Sequence, residues 1–121
     1  MMDYERHFAG KIEGLKIETL ITSRLELRDG VEVVISRVQI PANTVLPKHY
    51  HPGEEFIYIL EGSGALWLKG RGKTLLKAGD VFKVPLRAIH TFITDADGVR
   101  ILVCRVHESG KPMRYNVDEG K

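Results

Sequence analysis

The chain reads as an all-β protein, a sandwich or barrel built from short strands. Three observations lead there. Runs of alternating or β-branched apolar residues recur along the chain. Turn signals separate them roughly every 8 to 12 residues. Helical periodicity competes only weakly, in residues 1–21.

The elements follow in order. Residues 1–22 read as an N-terminal arm. Leu25 and Leu27 alternate with polar residues, and Asp29-Gly30 is a hairpin turn signal. Val31 to Ile40 is rich in β-branched residues, and Pro41 to Pro47 is a loop. Glu55 to Leu60 is a strand ended by Gly62-Ser63-Gly64. Ala65 to Leu68 and Thr74 to Lys77 flank a Lys69-Gly70-Arg71-Gly72 turn. Val81 to Val84, Ala88 to Thr94 and Val99 to Val106 complete the strands, with Asp97-Gly98 as a further turn. Residues 23–108 therefore form the barrel domain. Residues 109–121 form a polar tail, expected to be partly loose.

Composition bounds the function. A chain of 121 residues can bury one core and is too short for two domains. No apolar run approaches the roughly 20 residues that cross a membrane. The N-terminus has no apolar stretch of signal-peptide type. A net charge of +2 is too weak to argue for nucleic acid. The one basic cluster, Lys69, Arg71, Lys73 and Lys77, lies on a Gly-rich hairpin and reads as a solvated turn. A single cysteine cannot form an internal disulfide, so a cytoplasmic setting is expected.

The chemistry concentrates at His49-Tyr50-His51-Pro52-Gly53-Glu54-Glu55. In an extended segment residues i and i+2 share a face, so His49 and His51 can aim both imidazoles at one point. Glu55 adds a hard oxygen donor from the same side. Two imidazoles and a carboxylate form a common set of ligands for a transition metal. His90, on a second strand-like run, can supply a third imidazole.

In these residues the chain resembles the cupin family. The family's first motif is Gly, five residues, His-x-His, three or four residues, Glu, six residues, Gly. His49, His51, Glu55 and Gly62 stand at that spacing, with Asn43 in place of the opening Gly. The second motif is Gly, five residues, Pro-x-Gly, two residues, His, three residues, Asn. Gly79, Pro85 and His90 match it, while Arg87 replaces the Gly and Thr94 the Asn. Asn tolerates positive φ, so Asn43 is a mild change. Arg87 costs on the order of 1 kcal/mol if its turn requires positive φ.

The resemblance spans roughly Val31 to Val106. It implies a jelly-roll β-barrel, or double-stranded β-helix, holding one divalent metal (Fe, Mn, Ni, Cu or Zn) through His49, His51, Glu55 and His90. It implies a quercetin-dioxygenase-like enzyme acting on a small enol, diketone or carboxylate. A non-catalytic ligand-binding or sensor module is the alternative. An isomerase or epimerase-like role, with a His–carboxylate acid–base pair and no metal, is a third. No segment is left over for a helix-turn-helix, so a transcription factor of this family is not expected.

Other residues carry weaker signals. His7 and His107 fall outside the motifs, although His107 ends the last strand and can approach a barrel mouth. Phe92 shares strand parity with His90 and is a candidate pocket residue. Arg87 reads as a solvated loop residue that would otherwise meet an anionic substrate. Arg37 would favour a carboxylate or enolate if its face of Val31 to Ile40 turned inward. Cys104 reads as a small buried hydrophobe. If Glu55 looks into the barrel, Phe56, Tyr58 and Leu60 look out. Such a patch invites a cover, either the N-terminal segment (Ile12, Leu15, Ile17) or a second subunit. The family resemblance favours a homodimer.

Overall fold

The structure is a computed structural model and describes residues 12–117. All of its described strands pair antiparallel: β1 (Lys16–Arg24), β2 (Val31–Ile40), β3 (His49–Tyr50), β4 (Gly53–Leu68), β5 (Gly72–Lys77), β6 (Val81–Val84), β7 (His90–Ile93), β8 (Val99–Glu108) and β9 (Tyr115–Asn116). They run in the order β1-β2-β8-β4-β7-β3-β9, with β5 and β6 also paired to β4. The sheet curls on itself as a jelly-roll barrel. No helix among the described residues is long and apolar enough to cross a membrane.

β4 joins the two walls of the barrel. Its first part, Gly53 to Gly62, pairs with β8, and its last part, Ala65 to Leu68, pairs with β7. The register shifts between Ile59 and Glu61. Gly62 has φ 79°, and a Cβ there would lie 2.1 Å from the Gly98 carbonyl oxygen. Only glycine lets the strand turn and approach so closely. The Gly62-Ser63-Gly64 signal therefore marks a bend within one 16-residue strand, not a strand end.

Period-two alternation fills the interior. Val34, Val38 and Ile40 from β2, Ile57 and Ile59 from β4, and Val99, Ile101 and Val103 from β8 are all buried. Arg37 is on the outer face and pairs with Glu18 at 2.8 Å. The inward face of β2 is thus the apolar one, which removes Arg37 from the interior.

The ends of the chain differ from their sequence reading. Residues 16–21, part of the 1–21 stretch where helical periodicity competes weakly, lie in strand β1, paired along β2. Strand pairing overrides a local helical tendency this slight. The boundary between arm and barrel expected at residue 22 falls inside β1. Leu25 and Leu27 are in the β1–β2 connection, and Leu27 is almost fully exposed. Ile12, Leu15 and Ile17 pack on the interior core, not over Phe56, Tyr58 and Leu60. In the tail, β9 pairs with β3 and Arg114 is buried. His7 lies outside the described residues.

The departures from the motifs have local explanations. Asn43 and Arg87 take positive φ, 51° and 57°. Thr94 is buried; its hydroxyl donates to the Pro41 carbonyl at 2.6 Å and accepts from the Thr44 amide at 3.0 Å. It thereby anchors the β2–β3 loop. Left-handed backbone costs a residue with a Cβ about 1–2 kcal/mol. Glycine would relieve this but loses about 0.4–1 kcal/mol through the unfolded chain. Because Arg87 is exposed, Arg87→Gly is expected to stabilise the protein by about 0.5–1 kcal/mol. A urea midpoint lower than wild type would show that the Arg87 side chain contributes more than its backbone costs.

Candidate metal centre

The four side chains singled out by the motifs come together at one end of the barrel interior. β3 and β7 pair so that His49 and His90 are direct cross-strand partners. His51 follows β3 by one residue and turns to the same side, as extended backbone requires. Glu55 enters from β4, on the inward parity of Ile57 and Ile59. All four are buried.

Each imidazole is oriented by a backbone carbonyl. Nδ1 of His49 donates to Pro47 at 2.7 Å, Nδ1 of His90 to Ala88 at 2.8 Å, and Nδ1 of His51 to Met113 at 2.7 Å. A carbonyl only accepts, so each Nδ1 carries the hydrogen. In the neutral ring Nε2 is then a bare lone pair. The metal-ligating nitrogens of the three rings lie within 4.8 Å of one another. Nε2 of His51 is 3.0 Å from Glu55 Oε2, and Nε2 of His90 is 3.2 Å from Glu55 Oε1.

Burial reinforces this state. Desolvation holds His49 well below its ordinary pKa of 6.5, helped by His90, Arg114 and His51. Desolvation also lowers His51, outweighing the opposing pull of Glu55. For Glu55 burial pushes upward, yet His51, the Arg105 guanidinium and the hydrogen bonds to the carboxylate together hold it well below the usual range. Three imidazole Nε2 atoms and a carboxylate thus face one another at contact distance. A bound cation would be shared by all of them. For donors about 2.1 Å from one ion, adjacent octahedral vertices lie about 3.0 Å apart, close to the two Glu55 separations. His49, His51 and His90 form a set that can hold one metal ion, and the donor chemistry of Glu55 fits the same place.

The motifs did not point to two further residues. Arg105, on β8 directly opposite Glu55, donates from Nε to Glu55 Oε2 at 2.8 Å and is buried. Its signal was available: Arg105 interrupts the apolar parity of Val99, Ile101 and Val103. Arg114 also reaches the interior, from the segment between β8 and β9. Nothing in a polar tail announces it.

The remaining candidates fall as follows. Phe92 lines the chamber beside His90. His107 is inward and buried, with Nε2 3.3 Å from Glu32 Oε1. Tyr50 points away and stacks on Tyr115. Glu54 pairs with Lys83 on the outer face at 2.8 Å. Cys104 is half-buried on the outer face, not in the core, because its parity is that of Leu102. Arg87 is exposed.

A model of the cupin domain matches residues 36–104. The chain belongs to the cupin family. Solved structures agree in fold. DMSP lyase DddQ from Ruegeria pomeroyi superposes with a TM-score of 0.73 at 23% identity, over 100% of this chain and 62% of that one. This chain therefore spans less than two thirds of that lyase. A cupin-like protein from Thermotoga maritima gives 0.67 at 19% identity, covering 85% of this chain and 75% of the other. The polyketide cyclase RemF from Streptomyces resistomycificus gives 0.63 at 24%, covering 89% and 83%. Among curated proteins no sequence match reaches significance.

Acid acts in one direction on this centre. His49 and His51 have folded values below their ordinary 6.5. Below that pH the unfolded chain takes up more protons than the folded one, so stability falls as pH falls. Glu55, also held low, adds a further loss of the same sign below its ordinary 4.5. Metal competes with the same protons. Melting temperature of the metal-free protein, and its affinity for a divalent ion, are expected to be flat above about pH 7 and to fall below about pH 6. Thermal melts and metal titrations from pH 8 to pH 5 test this. Constant values across that range would mean that the imidazoles are neither buried neutral nor ligands.

Proposed function

We propose that the protein binds one divalent transition metal through His49, His51, Glu55 and His90. On this reading it is a dioxygenase-like oxidoreductase acting on a small enol, diketone or carboxylate. The observation that carries the proposal is the convergence of three imidazoles, each with Nδ1 held by a backbone carbonyl, and the Glu55 carboxylate on one buried point. The fold alone does not choose a reaction, since its relatives include a lyase and a cyclase. When bound, the ion supplies Lewis-acid activation of an oxygen donor.

The chain's own residues set the conditions. Pro47, Ala88 and Met113 carbonyls hold the rings in the ligating tautomer. Arg105 keeps Glu55 ionised. Aliphatic side chains such as Ile57, Ile101 and Val103 line the rest of the chamber and exclude bulk water. The metal-free epimerase-like alternative needs a His–carboxylate pair facing the ligand. His90 and Glu55, 3.2 Å apart and both lining the chamber, form such a pair, so the metal content of the purified protein decides between the two readings.

Protein purified without chelator is expected to carry one first-row ion per chain and to consume dioxygen with at least one member of an enol and β-diketone panel. His51→Ala should keep the β-sheet circular dichroism and lose most of the metal and the uptake. Absence of any ion by mass spectrometry, even after metal soaking, would refute metal binding. A metal-loaded protein inert toward the whole panel would refute the dioxygenase assignment and leave the ligand-binding module.

A cytoplasmic setting suits the single cysteine. We also propose a homodimer. Phe56, Tyr58 and Leu60 are 38%, 42% and 39% exposed on the outer face of β4, and cross-strand neighbours Ile35 and Cys104 extend the patch from Phe56. Large apolar patches of this kind mark interaction surfaces. The segment from Ile12 to Ile17 packs inside instead. Light scattering should give a dimer for the intact chain and a monomer, or insoluble protein, for the Phe56→Glu/Tyr58→Glu double variant. An intact chain that is monomeric at micromolar concentration ends this proposal.

A further inference from the structure

The wall of the barrel that does not carry Phe56, Tyr58 and Leu60 has an outer face of its own. It is built from β5, the last part of β4, β7, β3 and β9. Leu66, Leu76 and Phe92 are buried on its inward parity, so Ala65, Trp67, Lys73 and Leu75 look out. One cross-strand row on this face is wholly apolar. Leu75 pairs with Ala65, Ala65 with Ile93, and Ile93 with Val45. Leu75 and Val45, at its two ends, are 79% and 65% exposed.

The neighbouring row is aromatic and cationic. Lys73 stands directly opposite Trp67, and the Lys48 ammonium lies 4.4 Å from the centre of the Trp67 ring. The hairpin tip adds Lys69 and Arg71, both exposed. By sequence this Gly-rich hairpin is a solvated turn; the fold sets its cations beside an exposed apolar row. Among the described residues no ion pair neutralises Lys69, Arg71 or Lys73. Asp80 and Asp95 lie toward the far end of β5, where Lys77 answers Asp80 at 3.6 Å.

We infer that this face docks on an anionic phospholipid bilayer, with Lys69, Arg71 and Lys73 at the headgroups and Leu75, Val45 and Trp67 at the edge of the acyl region. The inference goes beyond the metal-centre reading and does not depend on it. It also uses the wall that the proposed homodimer leaves open. The negative potential of such a bilayer attracts lysine and arginine near its surface. Shallow aliphatic side chains gain by entering the boundary between headgroups and acyl chains. An indole suits that boundary, because one end of it is apolar and the other wet. A single-stranded nucleic acid also seeks cations and aromatics, but its bases need open ring faces. Here Lys48 already covers Trp67, and Tyr50 and Tyr115 stack on each other with ring centres 5.1 Å apart. A polyanion would also leave Leu75 and Val45 uncovered.

The test uses the full-length chain as purified, with vesicles of phosphatidylcholine alone or with about a third phosphatidylserine. Trp67 is the chain's single tryptophan, so its fluorescence reports this face directly. Wild type is expected to co-sediment with the phosphatidylserine vesicles and not with the neutral ones. High salt should release it. Brominated acyl chains should quench the Trp67 emission. Each cation is worth about a fivefold change in partitioning, so Lys69→Gln/Arg71→Gln/Lys73→Gln should weaken binding about a hundredfold. Leu75→Ser should weaken it at least about threefold. Wild-type protein that ignores the phosphatidylserine vesicles overturns the inference. Binding without quenching of Trp67 also overturns it, because the contact then lies elsewhere. Tighter binding to a single-stranded oligonucleotide than to the vesicles overturns it in favour of nucleic acid. If the triple variant loses its folded circular dichroism, Leu75→Ser decides: undiminished binding overturns the inference, and a loss supports it.

Discussion

The interior of this barrel is organised around three backbone carbonyls. Pro47, Ala88 and Met113 each accept from an imidazole Nδ1, and so turn three Nε2 atoms toward one point. Buried acceptors that face each other are costly unless something positive lies between them. Desolvation opposes the easy solution, protonation, at His49 and His51. Three imidazoles so oriented could hold a cation with little ring reorganisation on binding.

Glu55 reaches that point because β4 serves both walls of the barrel. The strand bends at Gly62, so its first part can present Glu55 to the interior while its last part pairs with β7, which carries His90. Taking a carboxylate out of water is unfavourable, and the direct cross-strand partner Arg105 offsets the loss. The pair also fixes which oxygens face His51 and His90. One strand bend and one cross-strand ion pair thus control the geometry of four residues contributed by three separate segments.

Sequence patterns succeeded where they encode parity. The inward series on β2 and β8 follows from alternation, and the outward placement of Phe56, Tyr58 and Leu60 follows once Glu55 is turned inward. Most strands from β2 to β8 were legible for the same reason, although β4 was read as two strands and β9 was not expected. Alternation failed where the pattern was short or the packing distant. Two leucines, Leu25 and Leu27, imitate a strand in what is a connection. Cys104 looks like a core residue by type, yet its parity sets it outside. The slight helical tendency of residues 16–21 yields to pairing with β2.

What the sequence determined by itself is what depends on neighbours along the chain. The spacing of His49, His51 and Glu55 puts them on one face, and the carbonyls that orient His49 and His90 lie only two residues upstream of each ring. Such contacts need no knowledge of the rest of the molecule. The tertiary structure alone decided the others. The carbonyl that orients His51 comes from Met113, 62 residues away, and Arg105 reaches Glu55 across 50. Arg114 enters the chamber only because β9 pairs with β3 and draws the tail inward. Long-range partners are chosen by strand register and by the closure of the barrel, and neither is written in any local stretch of residues.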